Sequence, residues 1–178
     1  MNIFFLSMCP ILAAQFVCDM HCSKMFVELM QVLSTVFSFY AGSEKTKELG
    51  MYRPTHKKHP IVLWAAASSA NFEWCMELGE AMSDEYMKRY GKTNRHASHR
   101  ILMIIKDNYH QIANMFPENK MITPPLCMDK KYRVSSDPVV SYRFYYRHSK
   151  ASFAVWKNNT KMPSWWFEMS VNQNLIND

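Results

Sequence analysis

Where the four glycines of this chain fall constrains its fold more than any other feature. Gly42 and Gly91 each close a long run with helical spacing, over residues 11–40 and 60–90. A fold of many tight turns needs glycine at its corners, so this scarcity excludes an all-β architecture and a glycine-rich phosphate loop. Pro60 suits the first turn of the second run. The spacing predicts a third helix over 97–115, ending before Pro117, and then a loop over 117–136 that holds Pro124 and Pro125. Asp137-Pro138 reads as an N-cap and first-turn proline that open a helix through about 148. A short helix or turn follows near 150–157, and Trp165-Trp166-Phe167 forms an aromatic tail. Residues 1–7 read as a short apolar strand or extended arm. With no internal repeat and no domain boundary, the expected fold is mainly α: a single domain over 1–178. Two long antiparallel helices, the N-terminal strand or arm and long loops complete it.

At 178 residues, the chain is long enough for one domain with a substantial core. Hydrophobic residues make up 48% and charged residues 20%, which excludes a disordered polymer. A net charge of +6 and a pI near 9.1 favour an anionic partner such as nucleic acid or a nucleotide. Five cysteines leave an odd thiol, which suits reduced cysteines inside a cell better than a secreted disulfide framework. The opening apolar stretch has no Lys or Arg ahead of it and is interrupted by Pro10, so it does not read as a signal peptide. Asp19, His21, Lys24 and Glu28 break the N-terminal segment, and no membrane span is expected. The expectation is a cytoplasmic protein, in the host cell if viral.

The first long run carries the most informative pattern. At about 100° per residue, His21, Lys24, Glu28 and Gln31 share one narrow stripe. Apolar residues flank it on both sides, among them Cys22, Phe26, Leu29, Met20 and Val27. A helix apolar almost all round is buried, so this stripe should face the interior or a cleft. Buried Lys and Glu must be paired, and such groups acquire shifted pKa values. Two readings stand: a binding or catalytic stripe, or a Lys24–Glu28 ion pair with a core histidine. The second run repeats the theme, with Trp64, Asn71, Glu85 and Arg89 on an apolar stripe and five charged residues opposite. Either an inward polar cluster or a boundary ion pair between Glu85 and Arg89 explains it.

Between the runs, Arg53, His56, Lys57, Lys58 and His59 crowd ahead of a helix N-terminus, where phosphate or carboxylate groups are held. Two further basic segments, one with Arg89 and Lys92 and one with Arg143 among tyrosines, extend an electropositive surface. Each segment alone also reads as a solvated face. Cys18, Asp19, His21 and Cys22 contain metal-ligating types but no complete ligand set, so no metal and no cofactor are expected. No GxSxG, P-loop or dinucleotide fingerprint occurs.

Longer motifs run through the chain: Cys18-Asp19-x-His21-x-x-Lys24-Met25-x-x-Glu28-x-x-Gln31, Thr55-His56-x-x-His59-Pro60-x-x-x-Trp64 and Ser68-x-x-Asn71-Phe72-x-Trp74. Asp84-Glu85-Tyr86-x-x-Arg89-Tyr90-Gly91-Lys92 and Asp137-Pro138-Val139-x-x-Tyr142-Arg143-x-Tyr145-Tyr146 continue them. In these, the chain resembles a family of small proteins of tailed phages and large DNA viruses, a resemblance that covers most of its length and implies no settled activity. His21, Glu28 and His59-Pro60 also make it similar to pyrimidine-dimer DNA glycosylases of the endonuclease V type. That resemblance implies an amine nucleophile at a processed N-terminus. Here Asn2 follows Met1, and a bulky second residue leaves methionine in place, so the amine would be Lys24 or Met1 itself.

The expectation from residues and resemblance together is a viral enzyme acting on DNA or a nucleotide in the manner of an N-glycosylase. Glu28 would stabilise oxocarbenium charge, Lys24 would attack the sugar and His21 would move the proton. Asn71 with Trp64 or Trp74 would hold a flipped base, and Arg53, Lys57 and His59 would grip phosphate. Asp19, Gln31, His56, Glu85, Arg89, Lys92 and Arg143 complete the expected site. The alternatives are a non-enzymatic viral protein that binds a nucleotide, nucleic acid or host protein, and a purely structural role with core ion pairs.

Overall fold

A computed structural model describes residues 1–157 and 159–168. Its helices are α1 (Pro10–Phe16), α2 (Asp19–Ala41), α3 (Ser43–Glu48), α4 (Pro60–Ala67), α5 (Ser69–Tyr90), α6 (His99–Asn108), α7 (Pro138–Lys150) and α8 (Trp165–Glu168). Short 3-10 turns lie at Tyr109–Gln111, Ala113–Met115 and Lys130–Tyr132. No strand forms among the described residues, and the one β-type pairing is an isolated bridge between Ser68 and Glu118. The fold is all-α, as the glycine pattern demands. No described helix is long and apolar enough to cross a membrane.

Side-chain caps start α4, α5 and α7. The Asp137 carboxylate accepts the Val139 N–H at 2.8 Å with Pro138 in the first turn of α7, and His59 Nδ1 accepts the Ile61 N–H at 3.2 Å ahead of Pro60 in α4. Gly91 ends α5 in the left-handed region at φ 55° and Gly42 ends α2 at φ 87°, conformations that cost any other residue strain.

Both long runs are broken where the sequence predicts continuity. The first parts at Val17 and Cys18, whose backbone is extended, and the second at Ser68 (φ −152°, ψ 142°). At the first break, Cys18 N–H donates to the Tyr146 hydroxyl and Asp19 N–H to the Val155 carbonyl. At the second, the Ser68 hydroxyl caps α5 through Ala70 N–H and donates to the Lys120 carbonyl, while Ser69 N–H donates to Glu118. In each case partners remote in sequence replace the helical hydrogen bonds that are lost. The predicted 97–115 helix is likewise shorter, ending at Asn108 before the two 3-10 turns.

α2 packs against α3, α4, α5 and α6, and this central position accounts for its apolar residues on nearly every side. The N-terminal segment is an arm and not a strand: Ile3, Phe4, Phe5 and Leu6 are all buried. Phe5 stacks on Trp74 at 4.9 Å and meets Trp64 edge-on at 5.0 Å. Each such buried aromatic stabilises the fold by about 2 kcal/mol. The arm is therefore held by its side chains, where a strand would be held by a ladder. Residues 151–153 are turns, and the tail docks through buried Trp165, which meets Phe16 edge-on at 6.1 Å.

Candidate active site

The polar stripe of α2 divides between interior and surface. His21 is buried at 4% exposure, with Nδ1 2.6 Å from the Tyr146 hydroxyl and its ring stacked on Phe4 at 5.0 Å. Burial, reinforced by the positive charges of Lys150 and Lys24, lowers its pKa to about 4. The imidazole is thus neutral at pH 7 and committed to a core hydroxyl, an arrangement that serves packing and not proton transfer in an open cleft. Lys24, expected to be buried, is exposed, and it makes no ion pair with Glu28 among the described residues.

A stability prediction follows from His21. Its folded pKa lies below the ordinary 6.5, so its contribution is fully present above about pH 6.5 and is lost as pH falls towards 4. The loss amounts to about 3 kcal/mol. Urea midpoints measured from pH 7.5 to pH 4 should fall accordingly, and His21→Gln should flatten that dependence. An unchanged pH profile in the variant would assign the acid sensitivity elsewhere.

Glu28 has other partners. Its Oε2 accepts the Asn2 backbone N–H at 2.9 Å and lies 3.5 Å from the Met1 α-amino nitrogen. The buried arm lays the chain start along α2, so this ammonium takes the place expected for Lys24. The Asn2 side chain donates to the Cys127 carbonyl at 3.0 Å, which ties the arm to a cleft of about 700 Å³. His59, Cys127, Tyr132, Arg133 and Tyr145 are among the residues lining it. Tyr132 and Tyr145 stand 5.0 Å apart, tilted by 48°. Burial, the Met1 ammonium and His56 lower the pKa of His59, against the opposing pull of Glu28. Since Nδ1 accepts from Ile61, the neutral ring carries its hydrogen on Nε2. Burial raises the Cys127 thiol, so a thiolate nucleophile is disfavoured there.

Several expected binding residues are engaged in holding the fold. Arg89 is 3% exposed; its Nε donates to Glu85 at 2.9 Å, and Nη1 lies 3.4 Å from Asp19. The same guanidinium donates to the carbonyls of Val17 at 2.7 Å, Gln15 at 2.8 Å and Ala14 at 3.3 Å, closing the open end of α1. Asp19 also accepts the Lys157 N–H. This cluster is inward, and Arg89 meets only backbone carbonyls and carboxylates, while Glu85 also borders a hollow of about 440 Å³ with Glu77, Glu80 and Asp84. Asn71 is fully buried, donating to the Trp64 carbonyl at 2.7 Å and accepting the Ile122 N–H at 2.9 Å. Trp64 and Trp74 are buried against Phe5 and each other, and their indole N–H groups donate to the carbonyls of Ile122 and Met8, so neither ring is open to sandwich a base. Arg143 donates to the Leu6 carbonyl and lies over the Phe16 and Trp165 rings. Lys92 and His56 are exposed, and Arg53, Lys57 and Gln31 line two hollows beside α2.

Sequence reasoning missed Cys127, Tyr132 and Arg133, because the 117–136 segment reads only as a proline-bearing loop. Tyr145 had a signal, since it belongs to the run of tyrosines and arginines around Arg143. Among the described residues, no group of three or more His, Cys, Asp or Glu side chains is placed to hold a metal ion. Comparison with family models, curated proteins and solved structures returns no match to the chain.

Proposed function

We propose that the chain is a phage-type enzyme acting on DNA or a nucleotide, cleaving an N-glycosidic bond with the Met1 α-amine as nucleophile and Glu28 as its proton acceptor. The observation that supports this most is the 3.5 Å approach of amine and carboxylate, linked through the Asn2 side chain to Cys127 in the wall of a tyrosine-lined cleft that His59 borders. Reaction begins when the Met1 ammonium gives a proton to Glu28. The freed amine forms a bond to C1′ as the bond from C1′ to the base breaks, and the departing base takes up a proton. Opening of the C1′–O4′ bond leaves an imine between Met1 and the sugar, which water hydrolyses to regenerate the amine. Glu28 hands the proton it received to the departing base and, again a carboxylate, balances the positive charge left on the imine. The Nε2 hydrogen of His59 and the Arg133 guanidinium supply donors at the cleft, and the Tyr132 and Tyr145 rings offer faces for an unstacked base.

The test needs no knowledge of the base. A single-stranded oligonucleotide with one abasic site presents the C1′ aldehyde directly, and borohydride reduction would fix any imine as a stable adduct. Peptide mass spectrometry is expected to place the adduct on Met1, and a Gly-Ser extension ahead of Met1 should abolish it. An adduct on Lys24, or none, would overturn the assignment. The second reading, a non-enzymatic viral protein that binds a nucleotide, nucleic acid or host protein, is favoured by the basic hollows beside α2. It predicts DNA that is bound but recovered unchanged.

A further inference from the structure

From Leu49 to Phe72 the chain holds no Asp or Glu, yet it carries Arg53, Lys57 and Lys58 with His56 and His59. The fold gathers part of this segment into a groove. Two hollows of about 680 and 520 Å³ share Tyr52, Arg53 and Pro54. The larger adds Lys47 and Lys57, with Glu44 as its single acid, and the smaller adds Gln31 and Thr55. Lys47, Arg53 and Lys57 are all exposed, and none has an ion-pair partner among the described residues. Three cations left unneutralised around a concave surface call for an anion.

The groove is also tied to α2, the helix that carries Glu28. Thr35 of α2 accepts the Thr55 N–H at 3.1 Å, which pins the loop to the helix. Tyr52 is anchored through its hydroxyl on Ser98 at 3.0 Å, and its ring stacks on no other ring among the described residues. Gln31, in the smaller hollow, stands one turn along α2 from Glu28, a rise of about 4.5 Å. A row of cations with an unstacked tyrosine and a proline surface is the composition that tracks a single nucleic-acid strand, with phosphates on the cations and base faces on the ring.

We propose that a single-stranded nucleic acid runs from the cleft past Gln31 and along the Tyr52–Lys57 groove, its phosphates held by Arg53, Lys57 and Lys47. This builds on the reading of the cleft as the reacting site and makes the substrate a strand, with free nucleotides poor ligands and duplexes weaker ones.

The probe is fluorescein-labelled (dT)20, titrated by anisotropy from 50 to 200 mM salt and compared with its duplex and with dTMP as competitor. Each phosphate contact on a single strand adds about −0.7 to the slope of log affinity against log salt, so three contacts account for about two units. The triple variant Lys47→Gln/Arg53→Gln/Lys57→Gln is expected to lose those two units and bind at least about 10-fold more weakly at 100 mM salt. All three side chains are exposed, so its melting temperature should match the parent's. Lys45→Gln, which removes the partner of Glu48 outside the groove, should leave the slope unchanged. A triple variant with the parental slope, or tighter binding of duplex or dTMP than of the single strand, would overturn the proposal. Its failure is separable from that of the glycosylase reading. An absent Met1 adduct with the slope change intact overturns the nucleophile alone, and a Met1 adduct with an unchanged slope overturns the groove alone.

Discussion

Replacing Arg89 with leucine is expected to destabilise the protein by about 3 to 5 kcal/mol, the largest effect of any single substitution considered. The guanidinium is fully buried, pairs with Glu85 and Asp19, and serves three carbonyls at the end of α1. Its loss leaves Asp19 without an ion-pair partner and Glu85 with only the half-exposed Lys88, and it strips the donors from the carbonyls of Ala14, Gln15 and Val17. Thermal unfolding should shift down by about 10 °C or more for a chain of this length. The carbonyls add a second, sharper expectation. A buried ion pair exchanged whole for apolar residues often regains its stability. Here the triple change Arg89→Leu/Glu85→Leu/Asp19→Leu should recover only part of the loss, because the carbonyls of Ala14, Gln15 and Val17 stay unpaired. Full recovery would mean that the charges alone matter, and a loss under 1 kcal/mol for Arg89→Leu would remove the cluster from any structural role.

Glu28→Gln is the corresponding experiment for the chemistry. Glutamine keeps the size of the side chain, and its carbonyl oxygen can still accept the Asn2 N–H that Glu28 accepts at 2.9 Å. It cannot take the proton of the Met1 ammonium or balance charge on the sugar. Base release should therefore fall at least about 100-fold, the scale of a lost acid–base group, while affinity for single-stranded DNA stays within about 2-fold of the parent. Parallel loss of turnover and binding would show that Glu28 only holds the arm in place. Retained turnover would remove it from the mechanism. Measuring both quantities on one oligonucleotide by mass spectrometry and anisotropy separates these outcomes.

The features that were legible in the sequence are those decided within a few residues. The Asp137-Pro138 start, Pro60 in a first turn and the Gly42 and Gly91 stops are local chemistry, and they stand where the sequence places them. The shared stripe of Asn71, Glu85 and Arg89 is visible as well, since helical periodicity sorts side chains by face, but the choice between an inward cluster and a boundary ion pair is made only by their burial. Periodicity does not say what those side chains meet. Arg89 meets the end of α1, and Asn71 meets the Trp64 and Ile122 backbone, partners that no spacing rule supplies. The same limit explains why the spacing of both long runs shows no break. Val17-Cys18 and Ser68 leave the helical path because Tyr146, Val155, Glu118 and Lys120 offer hydrogen bonds from other parts of the chain.

The candidate site shows the division most clearly. Glu28 and His59 stood out from their motifs, and the basic Arg53–His59 segment stood out from its charge. Lys24 shares the stripe of Glu28, yet it is solvent-exposed while the Met1 amine occupies the carboxylate. Which amine reaches Glu28 depends on the burial of Phe4, Phe5 and Leu6 against residues such as Trp74 and Tyr142, more than sixty positions away in sequence. Residue order alone specifies an all-helical chain, its helix ends and the sign of its surface charge, because propensity, capping and net charge act locally or sum over composition. The pairing of Met1 with Glu28, the tyrosine-lined cleft and the commitment of His21 and Arg89 to the core belong to the tertiary structure. Side chains acquire those partners only when packing brings distant segments within hydrogen-bonding range.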